Sequence, residues 1–432
     1  MKITLIAGAR PNFMKVAPII KAIKAFNELK SGDASLNGGN GENGGISYRL
    51  VHTGQHYDKN MSDTFFEELG IPAPDVNLGC GGGSQAEQTA AIMVAFEKEL
   101  MAHPADIVMV VGDVTSTMAC SIVAKKLNTK VCHVEAGIRS WDLTMPEEIN
   151  RMVTDSLADY MFTTSEVANR NLIRQGATLM NDGMSEAKPL NDGMMPEDKY
   201  ANQRVQQRVW HVGNVMIDTL LANRSRFRKP EIWDELKLQE KQFVVMTMHR
   251  PANVDEENHL RAMMEQIIDN VHGLPVIFPI HPRTAKLLLG DRTAKGLQDA
   301  SLQDASKMLQ ERWPNLHIVE PMGYLEFNYL VERAKAVVTD SGGITEETTV
   351  MGVPCITLRD NTERPETCTV GTNELIGTKP EAIKPALDKL FAGEWKKGSI
   401  PELWDGHTAE RIIEILSALE IEDCRLKICD LR

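Results

Sequence analysis

The octapeptide Asp340-Ser341-Gly342-Gly343-Ile344-Thr345-Glu346-Glu347 follows the apolar run Ala336 to Thr339, and no other stretch of the chain constrains its function so tightly. A strand that breaks at paired glycines and reopens as a helix leaves N–H groups at the helix start, where the dipole favours an anion such as phosphate. Glu347, just inside that helix, can accept hydrogen bonds from two neighbouring hydroxyls, as on a ribose. Ser341, Gly342, Gly343 and Glu347 together suggest a nucleotide. A purely local reading competes with this one: Ser and Gly start helices, and two glutamates offset an N-terminal dipole.

Charged residues follow several other strand-like runs. Gly8-Ala9-Arg10-Pro11-Asn12-Phe13-Met14-Lys15 is a strand-turn-helix with two cations but no GxGxxG, so nicotinamide chemistry is not indicated. A cation in a first helical turn opposes the dipole, which favours an anion facing Lys15. Asp113 follows Ile107 to Val111, Glu135 follows Val131 to Val134, and Glu147 and Glu148 follow Pro146. An N-cap would account for Asp113 and a first-turn acid for Glu147, whereas Glu135 has no capping role and is read as functional. Several carboxylates sharing one cleft suit acid and base work. His249-Arg250 and His281-Pro282-Arg283 end two later strands and suggest an anion-binding rim, to which Arg364 adds a cation. Arg364 reads equally as a solvated loop charge, and Phe327 reads either as a base-stacking ring or as core.

Strand-like runs alternating with helix-length amphipathic stretches position these residues. Ile3 to Ala7 precedes Phe13 to Phe26, Ile107 to Val111 precedes Thr117 to Lys126, and Val131 to Val134 precedes Glu147 to Leu157. The pattern restarts after Gly213-Asn214, with strands expected at Phe243 to Thr247, Pro275 to Pro279, His317 to Val319, Ala336 to Thr339 and Cys355 to Leu358. Such alternation predicts an α/β protein with parallel, doubly wound sheets, whose ligands bind beyond the carboxyl ends of the strands. The expected domains are 1–213 plus a returning C-terminal helix at 408–432, and 214–407.

A chain of 432 residues has material for two cores, and its 42% hydrophobic and 25% charged content is that of a globular protein. A net charge of −13 argues against a nucleic-acid backbone as partner. The short apolar start is not a signal peptide, and no apolar run nears the roughly 20 residues of a bilayer span, so a cytoplasmic protein that does not enter a membrane is expected. The 7 cysteines form no CxxC pair, which argues against a metal site and against disulfides. Ser31 to Gly45, the repeated Asn-Asp-Gly-Met at 181–184 and 191–194, and the duplicated Leu-Gln-Asp-Ala-Ser at 297–306 read as surface insertions without chemistry.

With these residues in place, the sequence resembles the bacterial non-hydrolysing UDP-N-acetylglucosamine 2-epimerases. The match runs in order through Gly-Ala-Arg-Pro at 8–11, Thr-Gly-Gln-His at 53–56, Gly-Asp at 112–113, Val-Glu-Ala-Gly-Ile-Arg at 134–139 and Pro-Glu-Glu-Ile-Asn-Arg at 146–151. It continues through Gly-Asn at 213–214, His-Arg at 249–250, Asp-Ser-Gly-Gly at 340–343 and Glu-Arg-Pro-Glu at 363–366. The resemblance implies two Rossmann-like domains of GT-B type with the uridine nucleotide in an interdomain cleft, a UDP-sugar substrate, a homodimer and no cofactor. It further implies that Ser341, Gly342, Gly343, Glu347, Phe327 and Arg364 hold the nucleotide. Positions Arg10, Lys15, Asp113, Glu135, Glu147 and His249 would carry or support the chemistry. Close relatives act on 2,3-diacetamido uronic acids or hydrolyse the sugar, and a GT-B glycosyltransferase would share the cleft, so these activities stand as alternatives.

Overall fold

A computed structural model describes residues 1–32, 45–54, 68–181, 185–186, 207–280 and 309–429. Most of the three insertions, together with His281-Pro282-Arg283 and Gln55-His56, lies outside the described residues. The chain forms two compact units, Met1–Ala222 with Glu402–Arg432, and Asn223–Pro401.

The first unit is built on β1 (Lys2–Ala7), β2 (Ser47–His52), β3 (Val76–Asn77), β4 (Ile107–Val111), β5 (Lys130–Ala136), β6 (Tyr160–Thr163), β7 (Thr178–Asn181), β8 (Ser185–Glu186) and β9 (Arg208–His211). Their order is β3-β2-β1-β4-β5-β6-β9-β7-β8, parallel throughout except for the β7–β8 pair at the edge. The β4 strand is buried at all its residues, which is why it reads as an unbroken apolar run rather than an alternating one. The returning segment closes this unit: Asp218 accepts hydrogen bonds from Thr408 N at 3.2 Å and Ala409 N at 2.7 Å, capping the helix Thr408–Cys429. The helix Val215–Asn223, up to Ala222, stays with the same unit, where Thr219 Oγ1 donates to the Met14 carbonyl at 2.6 Å.

The second unit carries β10 (Val244–Thr247), β11 (Val276–Pro279), β12 (Leu316–Val319), β13 (Ala336–Thr339), β14 (Cys355–Thr357) and β15 (Asn373–Leu375), all parallel, in the order β12-β11-β10-β13-β14-β15. Alternate residues feed opposite faces. Val244 and Met246 pack with Leu260, Met263 and Ile267, whereas Phe243 and Val245 pack with Leu330 and Val331. Both faces are therefore covered by helices, the condition for an all-parallel sheet. Among the described residues no helix is long and apolar enough to cross a membrane.

The second sheet and the first six strands of the other share one topology. In each, the chain starts in the middle, winds to one edge, then returns to wind the other way, so the order reverses between β1 and β4 and again between β10 and β13. Loops diverge at such switch points, leaving a crevice beyond the carboxyl ends of the strands. The segments after β1, β4, β10 and β13 are those that begin Gly8, Gly112, Met248 and Asp340.

Candidate active site

At the first unit's switch point, Asn12 ties the two sides together. Its Oδ1 accepts from Gly8 N and Ala9 N at 3.2 and 3.0 Å, and its Nδ2 donates to the Val111 carbonyl at 2.8 Å. Arg10 opens the helix Arg10–Gly32; its side chain is not among those described. Lys15, buried in the same helix, forms an ion pair with Glu135. Gly112 arches over this pair at φ +70°, and a Cβ there would stand 3.1 Å from Lys15 Nζ and 3.5 Å from Glu135 Oε2. Only glycine combines that conformation with that approach.

Glu135 itself sits at φ +74°. The β5–β6 register passes from Val134 opposite Phe162 to Ala136 opposite Thr163, so Glu135 is the extra residue of a bulge that turns its side chain toward Lys15. The left-handed conformation costs a non-glycine residue about 1–2 kcal/mol and persists where the surroundings impose it. Asp113, at the end of β4, is held by Arg151, whose Nη2 and Nε lie 2.6 and 3.1 Å from Asp113 Oδ2. Arg151 Nη1 also donates to Glu148 Oε2 at 2.7 Å. Glu148 is completely buried and accepts further bonds from Ser140 N and Trp141 N at 2.9 and 3.1 Å. Glu147, its neighbour in the first turn of the helix Pro146–Leu157, is exposed. Of the acidic pair, one member is thus a structural anchor and the other is open to a ligand or to solvent.

At the second unit's switch point the buried carboxylate of Asp340 plays the part of Asn12. It accepts from His249 N at 2.9 Å, Arg250 N at 2.9 Å and Asn253 Nδ2 at 3.1 Å, and His249 Nδ1 lies 2.7 Å from its Oδ1. Burial pushes this carboxyl up, but the hydrogen bond and charge of His249, the Arg250 amide and Asn253 outweigh it and hold Asp340 below its ordinary value. With Nδ1 engaged, His249 presents Nε2, and its side chain is 61% exposed.

The helix Gly342–Met351 starts beside this anchor. Ser341 is its N-cap residue, no side chain caps the start, and its first turn contains no acid. Both glutamates lie deeper and are buried: Glu346 pairs with Arg364, and Glu347 accepts from Tyr324 Oη at 2.8 Å. The dipole-offsetting reading of the two glutamates therefore does not describe this helix. A Cβ at Gly342 would lie 3.7 Å from both Arg359 Nη1 and Arg364 Nη1, so two guanidinium groups flank the helix start. Arg359 is itself paired with Glu363, at 2.8 Å from Nη1 and from Nη2. Helix N-terminus and guanidinium groups together can hold a phosphate. Burial, augmented by the charge of Glu346, pushes Glu347 up to about 7 despite the hydroxyl of Tyr324. Phe327 is half-buried and packs on the cluster around Phe243 and Leu330.

The structure thus brings Lys15, Glu135 and the Gly112-Asp113 turn together at one switch point, and His249, Ser341, Gly342, Gly343 and Arg364 together at the other. Sequence reasoning missed Asn12, Arg151, Arg359 and Asp340 as the residues that hold them. Only Arg151 left a trace, in its three-residue spacing from Glu148 on one helix.

A family model described as UDP-N-acetylglucosamine 2-epimerase matches residues 40–417. The chain is 35% identical over 425 residues to the UDP-N-acetylglucosamine 2-epimerase of Methanocaldococcus jannaschii, covering 96% of this chain and 99% of that protein. It is 33% identical over 420 residues to the UDP-2,3-diacetamido-2,3-dideoxy-D-glucuronate 2-epimerase of Pseudomonas aeruginosa, covering 97% and 100%. A crystal structure of the M. jannaschii UDP-GlcNAc 2-epimerase in complex with UDP-GlcNAc and UDP superposes with a TM-score of 0.71 at 35% identity, covering 97% of this chain and 100% of that one. The UDP-GlcNAc 2-epimerase from Neisseria meningitidis bound to UDP-GlcNAc gives 0.71 at 26% identity, covering 96% and 99%. The fold is accordingly of GT-B type.

Proposed function

Because the chain belongs to the UDP-N-acetylglucosamine 2-epimerase family, we propose that it interconverts UDP-N-acetylglucosamine and UDP-N-acetylmannosamine. The hydrogen at C2 is not beside a ring carbonyl, so direct deprotonation would be slow. Loss of the anomeric UDP as a base removes that hydrogen gives a 2-acetamidoglucal. Re-addition of UDP at C1, with a proton delivered to the other face of C2, gives the epimer. Atoms balance without an oxidant or reductant.

In this scheme the second unit holds the leaving group. Ser341, Gly342, Gly343 and Arg364 bind the diphosphate, Glu347 the ribose and Phe327 the base. Asp113, Glu135 and Glu147 of the first unit supply the acid and base functions, and Arg10, Lys15 and His249 offset the charge that develops on the departing diphosphate. The observation that carries the reading is Glu135, a buried carboxylate at a strand end, turned out of the ladder by a left-handed bulge and paired with Lys15. That conformation costs free energy and persists where the surroundings impose it, as functional sites do. The similarity to UDP-sugar 2-epimerases supports the substrate class, and the resemblance of the motifs supports a cytoplasmic homodimer.

The nearly equal identity to the diacetamido-glucuronate enzyme, 33% against 35%, supports a second reading in which the sugar is a UDP-2,3-diacetamido uronic acid. NMR of enzyme with each UDP-sugar and no acceptor distinguishes them. The manno isomer formed from UDP-N-acetylglucosamine supports the proposal, and epimerisation of the uronate alone transfers it to the second reading. Release of free sugar and UDP indicates a hydrolysing enzyme, and turnover only with an added acceptor indicates a glycosyltransferase.

A further inference from the structure

Behind the first unit's carboxylates lies a second set of charged groups that the reaction scheme leaves unused. Asp155, on the helix Pro146–Leu157, and His133, on β5, have completely buried side chains. Asp155 Oδ1 lies 2.6 Å from His133 Nδ1, and its Oδ2 lies 2.6 Å from Arg139 Nη2 and accepts from Gly137 N at 3.1 Å. On the far side of the imidazole, His133 Nε2 lies 2.8 Å from the Gly112 carbonyl oxygen. That oxygen can only accept, so Nε2 carries the proton and donates it. Burial raises the Asp155 carboxyl, but the charge and hydrogen bond of His133, then those of Arg139, hold it below its ordinary value, so it serves as the anionic centre of the set.

Each end of this relay falls beside a carboxylate of the proposed reaction. Gly112 precedes Asp113. His133 and Gly137 bracket Glu135, two residues away on either side, so both flanks of the left-handed bulge are fixed from one carboxylate. Asp155 shares its helix with Glu147, and also with Arg151, which grips Asp113. One buried side chain thereby joins the ends of β4 and β5 to the helix that follows them. Apolar packing would fill this space at no desolvation cost, and buried ion pairs are weak evidence for stability alone. What the relay adds is direction: hydrogen bonds with fixed geometry to the three segments whose carboxylates must be placed.

We propose that His133 and Asp155 are positioning residues for the acid/base carboxylates, holding Asp113 and Glu135 in register through the Gly112 carbonyl and the Gly137 amide. The inference rests on the elimination scheme above, and its test separates the two. Wild-type enzyme is first assayed for exchange of the C2 hydrogen of UDP-N-acetylglucosamine in heavy water. No exchange sinks the scheme and with it the premise of the relay.

Given exchange, Asp155→Asn and His133→Phe are expected to lower kcat about 100-fold, the scale set by a displacement of about 1 Å in a reacting group, with KM and UDP affinity within about two-fold of wild type. His133→Gln keeps an N–H for the Gly112 carbonyl and should recover about ten-fold of that loss. Rates are counted per UDP-binding molecule, after hydrogen exchange shows the β4 and β5 amides protected, so an unfolded fraction does not contribute. Full kcat in Asp155→Asn overturns the proposal, as do equal rates for His133→Gln and His133→Phe. If Asp155→Asn does not fold, the two His133 variants decide. If none of the three retains protected amides, the relay is structural and the proposal falls.

Discussion

Replacing Glu347 by glutamine should make the protein more stable as the pH rises, relative to wild type. In the folded chain this carboxyl sits at about 7 against an ordinary 4.5, raised first by burial and then by the charge of Glu346. The rise corresponds to about 3 kcal/mol of unfavourable ionisation in the empty protein. Between pH 4.5 and about 7 the folded state keeps a proton that the unfolded state has released, so the free energy of unfolding falls across that window and is level, for this group, on either side. Glutamine has no charge to desolvate and can still accept from Tyr324 Oη. Urea unfolding of both proteins from pH 4.5 to 8.5 removes from the difference the titrations that do not depend on Glu347. The two should be nearly equal at the acid end, and the glutamine variant should lead by up to about 3 kcal/mol at the alkaline end. A difference that does not change with pH, or one that favours wild type increasingly as pH rises, refutes the reasoning. If the ionised carboxylate also receives the ribose hydroxyls, UDP-N-acetylglucosamine should bind wild type more tightly as pH rises through about 7, and the variant should show no such dependence.

Three further outcomes follow from the switch-point geometry. Gly342→Ala places a methyl group at ordinary contact distance from Arg359 and Arg364, so the melting temperature should hold or rise, alanine being the better helix former by up to about 1 kcal/mol, while calorimetry shows UDP affinity falling at least about ten-fold. Lys15→Met removes the buried cation that pairs with Glu135 and should cost up to about 3–5 kcal/mol in chemical unfolding, much of it restored in the double variant with Glu135→Gln. Gly112→Ala forces a left-handed alanine against the Lys15 ammonium, so the first unit should lose about 1–2 kcal/mol and C2 exchange should drop steeply with UDP affinity unchanged.

Both doubly wound sheets were legible because their central strands are continuous apolar runs. The strand Ala336–Thr339 has the bounds that its sequence suggests, and Ile107–Val111 does too. Strands such as Val76–Asn77 and Asn373–Leu375 are too short for any periodicity to register, and they form by pairing with a neighbour already in place. Within the site, types at strand ends located Asp113, Glu135 and the glycine turn. The sequence could not separate Glu147 from Glu148: adjacent residues on a helix point about 100° apart, and only the loop carrying Ser140 and Trp141 decides which of them is buried. The supporting residues act across long separations, Arg151 on Asp113 and Asn253 on Asp340, and no local pattern encodes such partners. The left-handed Glu135 left no sign either, since its position holds no glycine to announce it.

In the proposed elimination, proton transfer at C2 is coupled to departure of UDP. NMR of UDP-N-acetylglucosamine incubated with the enzyme in heavy water, without acceptor, tests this directly. Deuterium at C2 of both the gluco and manno nucleotide sugars, with the sugar still attached to UDP at equilibrium, is the predicted result. A manno product that retains its original hydrogen at C2, or no isomerisation at all, would contradict it.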